Sequence, residues 1–285
     1  VLGLMSGTSG DGVDASIISS DGTDHYSEVL NKYYEYDQKI YKNLHNLRGK
    51  ILKFEDLSMN EKEIILLEKE ITLFHAKVVK EILDLVDENI DLIGFHGQTI
   101  YHNPLKKISK QIGDGNLLSQ LSKKTIIYNF RKNDLQNGGE GAPLTPVFHK
   151  LIVKQNRIEL PVCILNIGGI TNVTLIDEYD KDSFLSRDLG PGNCLIDEWI
   201  RNNTKKKFDK NGDIAKRGKI NNLIVNQALD NFENKSKQKT LSFDTKDFSL
   251  GFVRGLDLDD GAATLTEFTA RIITMELSSF LPETK

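Results

Sequence analysis

Cysteine is nearly absent: Cys163 and Cys194 are the two in 285 residues, too few for a disulfide framework. Neither stands at a Cys/His spacing that holds zinc, so no zinc site is expected. Cys163 lies in an apolar run and is predicted to sit in the core. No apolar stretch reaches the roughly 18 residues a membrane span requires, and a signal-peptide pattern is missing. These absences predict a soluble, cytoplasmic protein. The chain opens on Val1 rather than Met, so the natural N-terminus is expected to precede it. A basic excess is lacking as well: 37 Lys and Arg stand against 41 Asp and Glu, a net charge of -4. That leaves no chain-wide field to attract nucleic acid or anionic lipid, and the short run Lys205-Lys206-Lys207 reads as solvated surface. A P-loop is excluded, because Gly-Lys-Ser/Thr does not occur. Internal repeats and low-complexity tracts are not evident.

What is present is globular. A hydrophobic fraction of 39% with 27% charged residues supports buried cores, and the length suggests about two domains. Val1–Ser6 and Val13–Ser19 are apolar runs flanking the Gly/Ser/Thr/Asp turn Gly7–Gly12, the pattern of a β-hairpin. Tyr26–Tyr36 reads as a third strand. Across Leu57–Val86, apolar residues (Ile64, Leu67, Ile71, Phe74, Val78, Ile82, Val86) recur every three or four positions. That is a helical stripe, with Asp56 and Ser58 as candidate N-caps.

Asp91–Phe95 and Thr125–Tyr128 read as further strands. Asn137–Pro146 breaks the pattern and sets the expected boundary, giving domains 1–140 and 141–285. A second glycine-turned hairpin follows, Val162–Ile167 and Thr171–Ile176 around Gly168-Gly169. Helices are expected near 194–202, 220–231 and 262–280. Strands then helices, twice over, predict a duplicated α/β architecture.

Five segments could carry chemistry. The turn with Gly7, Thr8, Ser9, Gly10, Asp11, Gly12, Val13 and Asp14 offers successive backbone N–H groups as a nest for phosphate. Ser6, Thr8 and Ser9 add hydroxyls, and Asp11 or Asp14 could assist Mg²⁺; an ordinary tight hairpin explains the segment equally. Asn166, Gly168 and Gly169 form a second turn permitting close backbone approach.

Arg187-Asp188-Leu189-Gly190-Pro191-Gly192-Asn193 places Asp188 beside a Gly-Pro-Gly corner. Exposed there it would suit a general base; alternatively it satisfies turn N–H groups while Asn193 caps the following helix. His96-Gly97-Gln98-Thr99 falls at an expected strand end, where α/β folds bind ligands. Gln98 and Thr99 suit hydroxyl or amide recognition, and His96 is either an acid or a satisfied structural histidine. Arg131, ahead of Gly138-Gly139-Glu140-Gly141, could grip a carboxylate bidentately or pair with Asp134 in a turn.

Together the Gly-Leu-Met-Ser-Gly-Thr-Ser opening, His96–Thr99, Gly138–Leu144, Asn166–Asn172 and Leu189–Asn193 resemble, in this order, the anhydro-N-acetylmuramic acid kinases. The resemblance extends from residue 1 to about 275. It implies a two-domain α/β, actin-like (ribonuclease H-like) ATPase fold with a central cleft binding ATP and Mg²⁺, shortened at its C-terminal end. Such an enzyme opens the 1,6-anhydro ring of 1,6-anhydro-N-acetylmuramic acid with water and phosphorylates O6, in peptidoglycan recycling.

Carried over, the motif aspartate is Asp188, deprotonating the attacking water. The Gly7–Asp14 loop with Asn166, Gly168 and Gly169 would hold nucleotide. His96, Gln98, Thr99, Arg131, Gly139 and Gly141 would line the sugar site. The partner implied is a small-molecule sugar, with a homodimer left open by the exposed helical stripe. This chain departs from the family at Gly10, where leucine is usual and whose loss is expected to loosen the loop, and at Asn129, where aspartate is usual. The family's glycine-rich adenosine-side loop and a later glutamate fall beyond Lys285, which raises the alternative of a sugar-binding relic.

Overall fold

The computed structural model describes residues 1–103, 106–178, 185–236 and 242–280. It divides into two compact units, one of residues 1–144 with 154–156, the other of residues 145–153 and 157–285.

The first unit opens with a meander, β1 (Leu2–Ser6), β2 (Gly12–Ser20) and β3 (Tyr26–Glu35), each strand antiparallel to the one before. Helices α1 (Gln38–Lys50), α2 (Glu55–Met59) and α3 (Glu61–Leu83) follow. The chain then returns as β4 (Leu92–Asn103), parallel to β1. Beyond β4 come β5 (Ile108–Ile112), α4 (Gly115–Ser122), β6 (Thr125–Tyr128) and α5 (Phe130–Gln136). β5 lies antiparallel against the second half of β4, and β6 parallel against the first half. The resulting order, three antiparallel strands followed by parallel neighbours, is the ribonuclease H-like arrangement that the resemblance implies.

The core explains these elements. Alternate residues Leu2, Leu4, Val13, Ala15 and Ile17 point inward from β1 and β2, the period-2 pattern of a half-buried strand. Ile40, Leu44 and Leu47 of α1 and Ile64, Leu67, Ile71, Val78 and Ile82 of α3 bury the facing stripes. Each such side chain is worth about 1.5–3 kcal/mol of transfer free energy. The expected single helix over Leu57–Val86 is in fact two, interrupted at Asn60. Asp56 does not cap α3; its carboxylate accepts the N–H groups of Leu52 and Lys53.

A larger difference concerns β4. The expected strand ends at Phe95, but pairing continues to Asn103 because the β5 hairpin supplies a partner for the second half. Gly97, with φ +69°, and an irregularity between Thr99 and Tyr101 bend the strand without ending it. His96–Thr99 therefore lies within a strand rather than beyond its end.

The second unit repeats the meander. After α6 (Pro146–Gln155) come β7 (Val162–Ile167), β8 (Ile170–Ile176) and β9 (Leu185–Pro191), all antiparallel, then α7 (Cys194–Asn203), α8 (Asn222–Ser236) and α9 (Leu258–Phe280). Leu195 and Trp199 of α7, Val225 and Phe232 of α8, and Leu265, Phe268 and Ile272 of α9 form its core. Gly261 is required where α9 crosses α7: a Cβ there would fall 2.3 Å from the Trp199 ring, and that indole donates to Leu258 O at 3.0 Å. Cys163 is half-buried against the Val173–Leu189–Phe280 cluster. Among the described residues, no helix is long and apolar enough to cross a membrane.

Candidate active site

In the first unit the turn between β1 and β2 is held from several directions. Gly10 N–H donates to Gly7 O at 3.2 Å and Tyr36 N–H to Asp11 O at 2.8 Å. Arg48 of α1 donates to Thr8 O at 2.5 Å. Gln98 of β4, fully buried, donates its amide to Gly7 O at 3.0 Å. Gln98 thus supports the turn from below, and its Oε1 is buried without a partner. Thr8 and Ser9 are exposed at the tip, and Ser9 Oγ donates to Asp11 Oδ1 at 2.6 Å.

Ser6 does not join them, contrary to its expected part as a hydroxyl donor. It is buried, with Tyr36 Oη at 2.8 Å and His75 Nε2 at 3.3 Å. Val13 likewise turns its side chain into the core, leaving only its backbone to the turn. The loosening expected at Gly10 is countered by α1, which packs against it: a Cβ on Gly10 would meet Leu44 Cδ2 at 2.8 Å. Asn129, the other departure, takes φ +60° at the start of α5, a conformation asparagine tolerates well.

Asp11 and Asp14 are close enough to interact. Burial, then the neighbouring Asp11 charge, raises the Asp14 carboxyl above its ordinary value. Two neighbouring carboxylates, one in the turn and one in β2, are a donor set suited to a divalent cation that completes its shell with water and phosphate oxygens. Among the described residues, no group of three or more His, Cys, Asp or Glu side chains could hold a metal by protein ligands alone.

His96 and Arg131 meet directly. The guanidinium donates from Nη2 and Nε to His96 Nε2, at 3.0 and 3.3 Å, and from Nη1 to Gly141 O at 2.6 Å. His96 Nδ1 donates to Gly97 O at 2.8 Å. Burial, then the Arg131 charge, pushes the imidazole down to about 4. His96 is therefore neutral at physiological pH with both nitrogens engaged, the environment of a structural histidine. Asp134 accepts the Gly141 N–H at 2.6 Å, and a Cβ on Gly139 would overlap its carboxylate at 2.2 Å. Gly139 and Gly141 thus let the chain wrap the Asp134 carboxylate. Thr99 Oγ1 accepts from Gln111 at 3.2 Å. The structure links Gly141, Arg131 and His96 through hydrogen bonds, and Gln98 to the Gly7 turn.

In the second unit Asp188 is not on an exposed corner. It sits in β9 at 9% exposure, and its Oδ2 accepts the Phe243 N–H at 2.8 Å. Strand pairing with β8 extends through Gly190 and Pro191, overriding the local turn signal of Gly-Pro-Gly. Phe243 is set by an aromatic cluster with Phe232 and Phe248, which lines a cavity of about 300 Å³.

The register puts Asn166, Asn172 and Asp188 in one row across β7, β8 and β9. Directly opposed residues share a sheet face, so the three side chains are neighbours. The row was not legible as such, though both asparagines stood in a noted motif. The Gly168-Gly169 turn is stapled to the Gly-Pro-Gly segment. Asn193 N–H donates to Gly168 O at 2.8 Å and Gly192 N–H to Gly169 O at 3.0 Å, while a Cβ on Gly192 would lie 2.2 Å from Gly168 O. Asn193 begins α7 without a side-chain cap and donates its amide to Ile167 O at 3.2 Å.

Each α/β unit carries a glycine-turned β-hairpin flanked by polar side chains, the arrangement expected of the actin-like kinase class. Residues 1–285 match the family model described as anhydro-N-acetylmuramic acid kinase, and the chain belongs to that family of carbohydrate kinases. An anhydro-N-acetylmuramic acid kinase of Pelagibacter ubique (strain HTCC1062) is 58% identical over 272 residues, covering 95% of this chain and 72% of the relative. One from Zymomonas mobilis subsp. mobilis is 37% identical over 289 residues, covering 99% and 77%. A match over nearly the whole chain favours the kinase over a sugar-binding relic. Among solved structures, the Aquifex aeolicus PPX-GPPA enzyme aligns over 97% of this chain and 92% of its own, at 10% identity and a TM-score of 0.35, too distant to bear on function.

Proposed function

We propose that this chain is a cytoplasmic, ATP-dependent transferase of amino-sugar metabolism. It opens the 1,6-anhydro ring of 1,6-anhydro-N-acetylmuramic acid with water and places the γ-phosphoryl group on O6, giving N-acetylmuramic acid 6-phosphate for peptidoglycan recycling. The observation that carries the reading is Asp188: a carboxylate held by a backbone N–H on a strand, beside two asparagines, within a family named for this sugar.

Asp188 takes a proton from water as the water oxygen bonds to the anomeric carbon. The bond from that carbon to O6 breaks, and O6 attacks the γ-phosphorus, releasing ADP. In the first unit the Gly7–Asp14 turn binds phosphate oxygens through backbone N–H groups and the Thr8 hydroxyl. In the second, Asn166 and the Gly168-Gly169 turn do the same. Asp11 and Asp14 would hold Mg²⁺, which supplies charge neutralisation at the phosphates. Arg131, rigidified by His96 and Gly141 O, presents positive charge to the lactyl carboxylate, while Thr99 with Gly139 and Gly141 shapes the sugar subsite. Positioning and charge stabilisation are the main demands of phosphoryl transfer.

The test is Asp188→Asn. Loss of a general base costs about 10²–10⁴-fold, so turnover should fall by at least that range while calorimetry still detects the sugar. Wild-type turnover by this variant would remove Asp188 from the mechanism.

A further inference from the structure

We propose that Asn172 is a second catalytic residue, whose Oδ1 holds the nucleophilic water jointly with Asp188; this rests on the reading of Asp188 as its base. Asn172 stands directly opposite Asp188 in the β8–β9 register, so the two side chains lie side by side on one face of the sheet. Its Oδ1 is buried and has no hydrogen-bond partner. A buried amide oxygen left unpaired is costly, and native folds pair nearly all such atoms; a cost retained beside a reactive carboxylate points to a guest that pairs it.

Several neighbouring polar atoms have partners of their own. Asp188 Oδ2 takes the Phe243 N–H at 2.8 Å. One step along the same face, Thr174 Oγ1 and Ser186 Oγ lie 3.3 Å apart, and His149 Nδ1 is 3.0 Å from Thr174 Oγ1. The register skips one residue at Leu189, between the Thr171–Gly190 and Asn172–Asp188 pairs. Such bulges re-aim side chains next to active sites.

Water has two hydrogens and needs two acceptors to fix its orientation. One goes to Asp188 and leaves as the transferred proton. The other goes to Asn172 Oδ1 and stays on the new hydroxyl, turning a water lone pair toward the anomeric carbon. Asn172 acts through its amide oxygen as an acceptor and changes no charge. Its removal affects the chemical step and not the binding of sugar or nucleotide.

Asn172→Leu is close to isosteric and removes the orphaned oxygen. ADP release with 1,6-anhydro-N-acetylmuramic acid as substrate should show kcat reduced about 10–100-fold, the scale of misplacing a reactant. Both KM values should stay within about twofold, and the melting temperature should equal or exceed that of the wild type, as expected when a buried unpaired polar group is removed. Asn172→Ser, which restores an acceptor, should recover part of kcat. If Asn172→Leu fails to fold, Asn172→Ala carries the same kcat-against-KM comparison. A kcat within twofold of wild type, or a loss of kcat that merely follows a falling melting temperature in every variant, overturns the proposal. Asp188→Asn run in parallel separates the two ideas. Wild-type turnover there sinks the reading of Asp188 itself, whereas an inactive Asp188→Asn with a fully active Asn172→Leu sinks only the part given to Asn172.

Discussion

Gly10→Ala tests the geometry of the first turn, and its sign is the informative quantity. Gly10 has φ +63°, and a Cβ there would lie 2.8 Å from Leu44 Cδ2, on a residue with no exposed surface. An L-residue in left-handed backbone costs about 1–2 kcal/mol. Crowding a packed methyl adds about 1 kcal/mol, the low end of overpacking, because a leucine tip can yield. Stiffening the unfolded chain returns about 0.4–1 kcal/mol. The net is a destabilisation of about 1–2.6 kcal/mol, or roughly 2–10 °C in melting temperature for a unit of this size.

Gly22 is the internal control. Its φ is +83°, but nothing lies within 4 Å of its Cβ direction, so Gly22→Ala feels backbone strain alone and should cost about 0–1.6 kcal/mol, roughly 1 kcal/mol less than Gly10→Ala. Urea titrations of both variants, and of Gly10→Ala combined with Leu44→Ala, isolate the packing term as a coupling energy. A Gly10→Ala protein as stable as wild type, or costs equal at Gly10 and Gly22, would refute the argument that Leu44 closes the space beneath the turn.

Two further outcomes follow from the first unit. Burial holds His75 and His96 down at about 4, against an unfolded value near 6.5. Between these values the unfolded chain binds protons that the folded chain refuses, so stability is full above pH 6.5 and declines as pH falls toward 4. Unfolding free energies from urea titrations at pH 7 and pH 5 should differ by about 2 kcal/mol per histidine, and His75→Gln should remove its share of the slope; an unchanged slope would contradict the buried neutral state. Arg131→Lys keeps the charge but loses the fork that joins His96 to Gly141 O. Steady-state kinetics should show KM rising for the sugar and not for ATP, with about 1–3 kcal/mol lost in urea.

Local pattern made much of this protein readable. The glycine turns at Gly7–Gly12 and Gly168-Gly169, the alternation in β1 and β2 and the stripe of α3 each depend on neighbours a few residues away, which is the range over which side-chain periodicity acts. Helix α1 escaped notice because charged and polar residues separate Ile40, Leu44 and Leu47, and its burial follows from the sheet it covers. Strand β9 escaped because Gly190 and Pro191 carry a local turn preference that pairing with β8 overrides.

The sequence by itself determined which chemical groups are available and where the chain can turn: acidic and amide side chains near glycines, with no thiol framework and no Walker lysine. Tertiary structure decided which of them meet. It buried Ser6 and Gln98 beneath the turn, matched Arg131 with a histidine 35 residues earlier, and lined up Asn166, Asn172 and Asp188 across three strands. Those relations depend on packing and strand pairing between separate segments, of which only the β7–β8 register follows from a local turn.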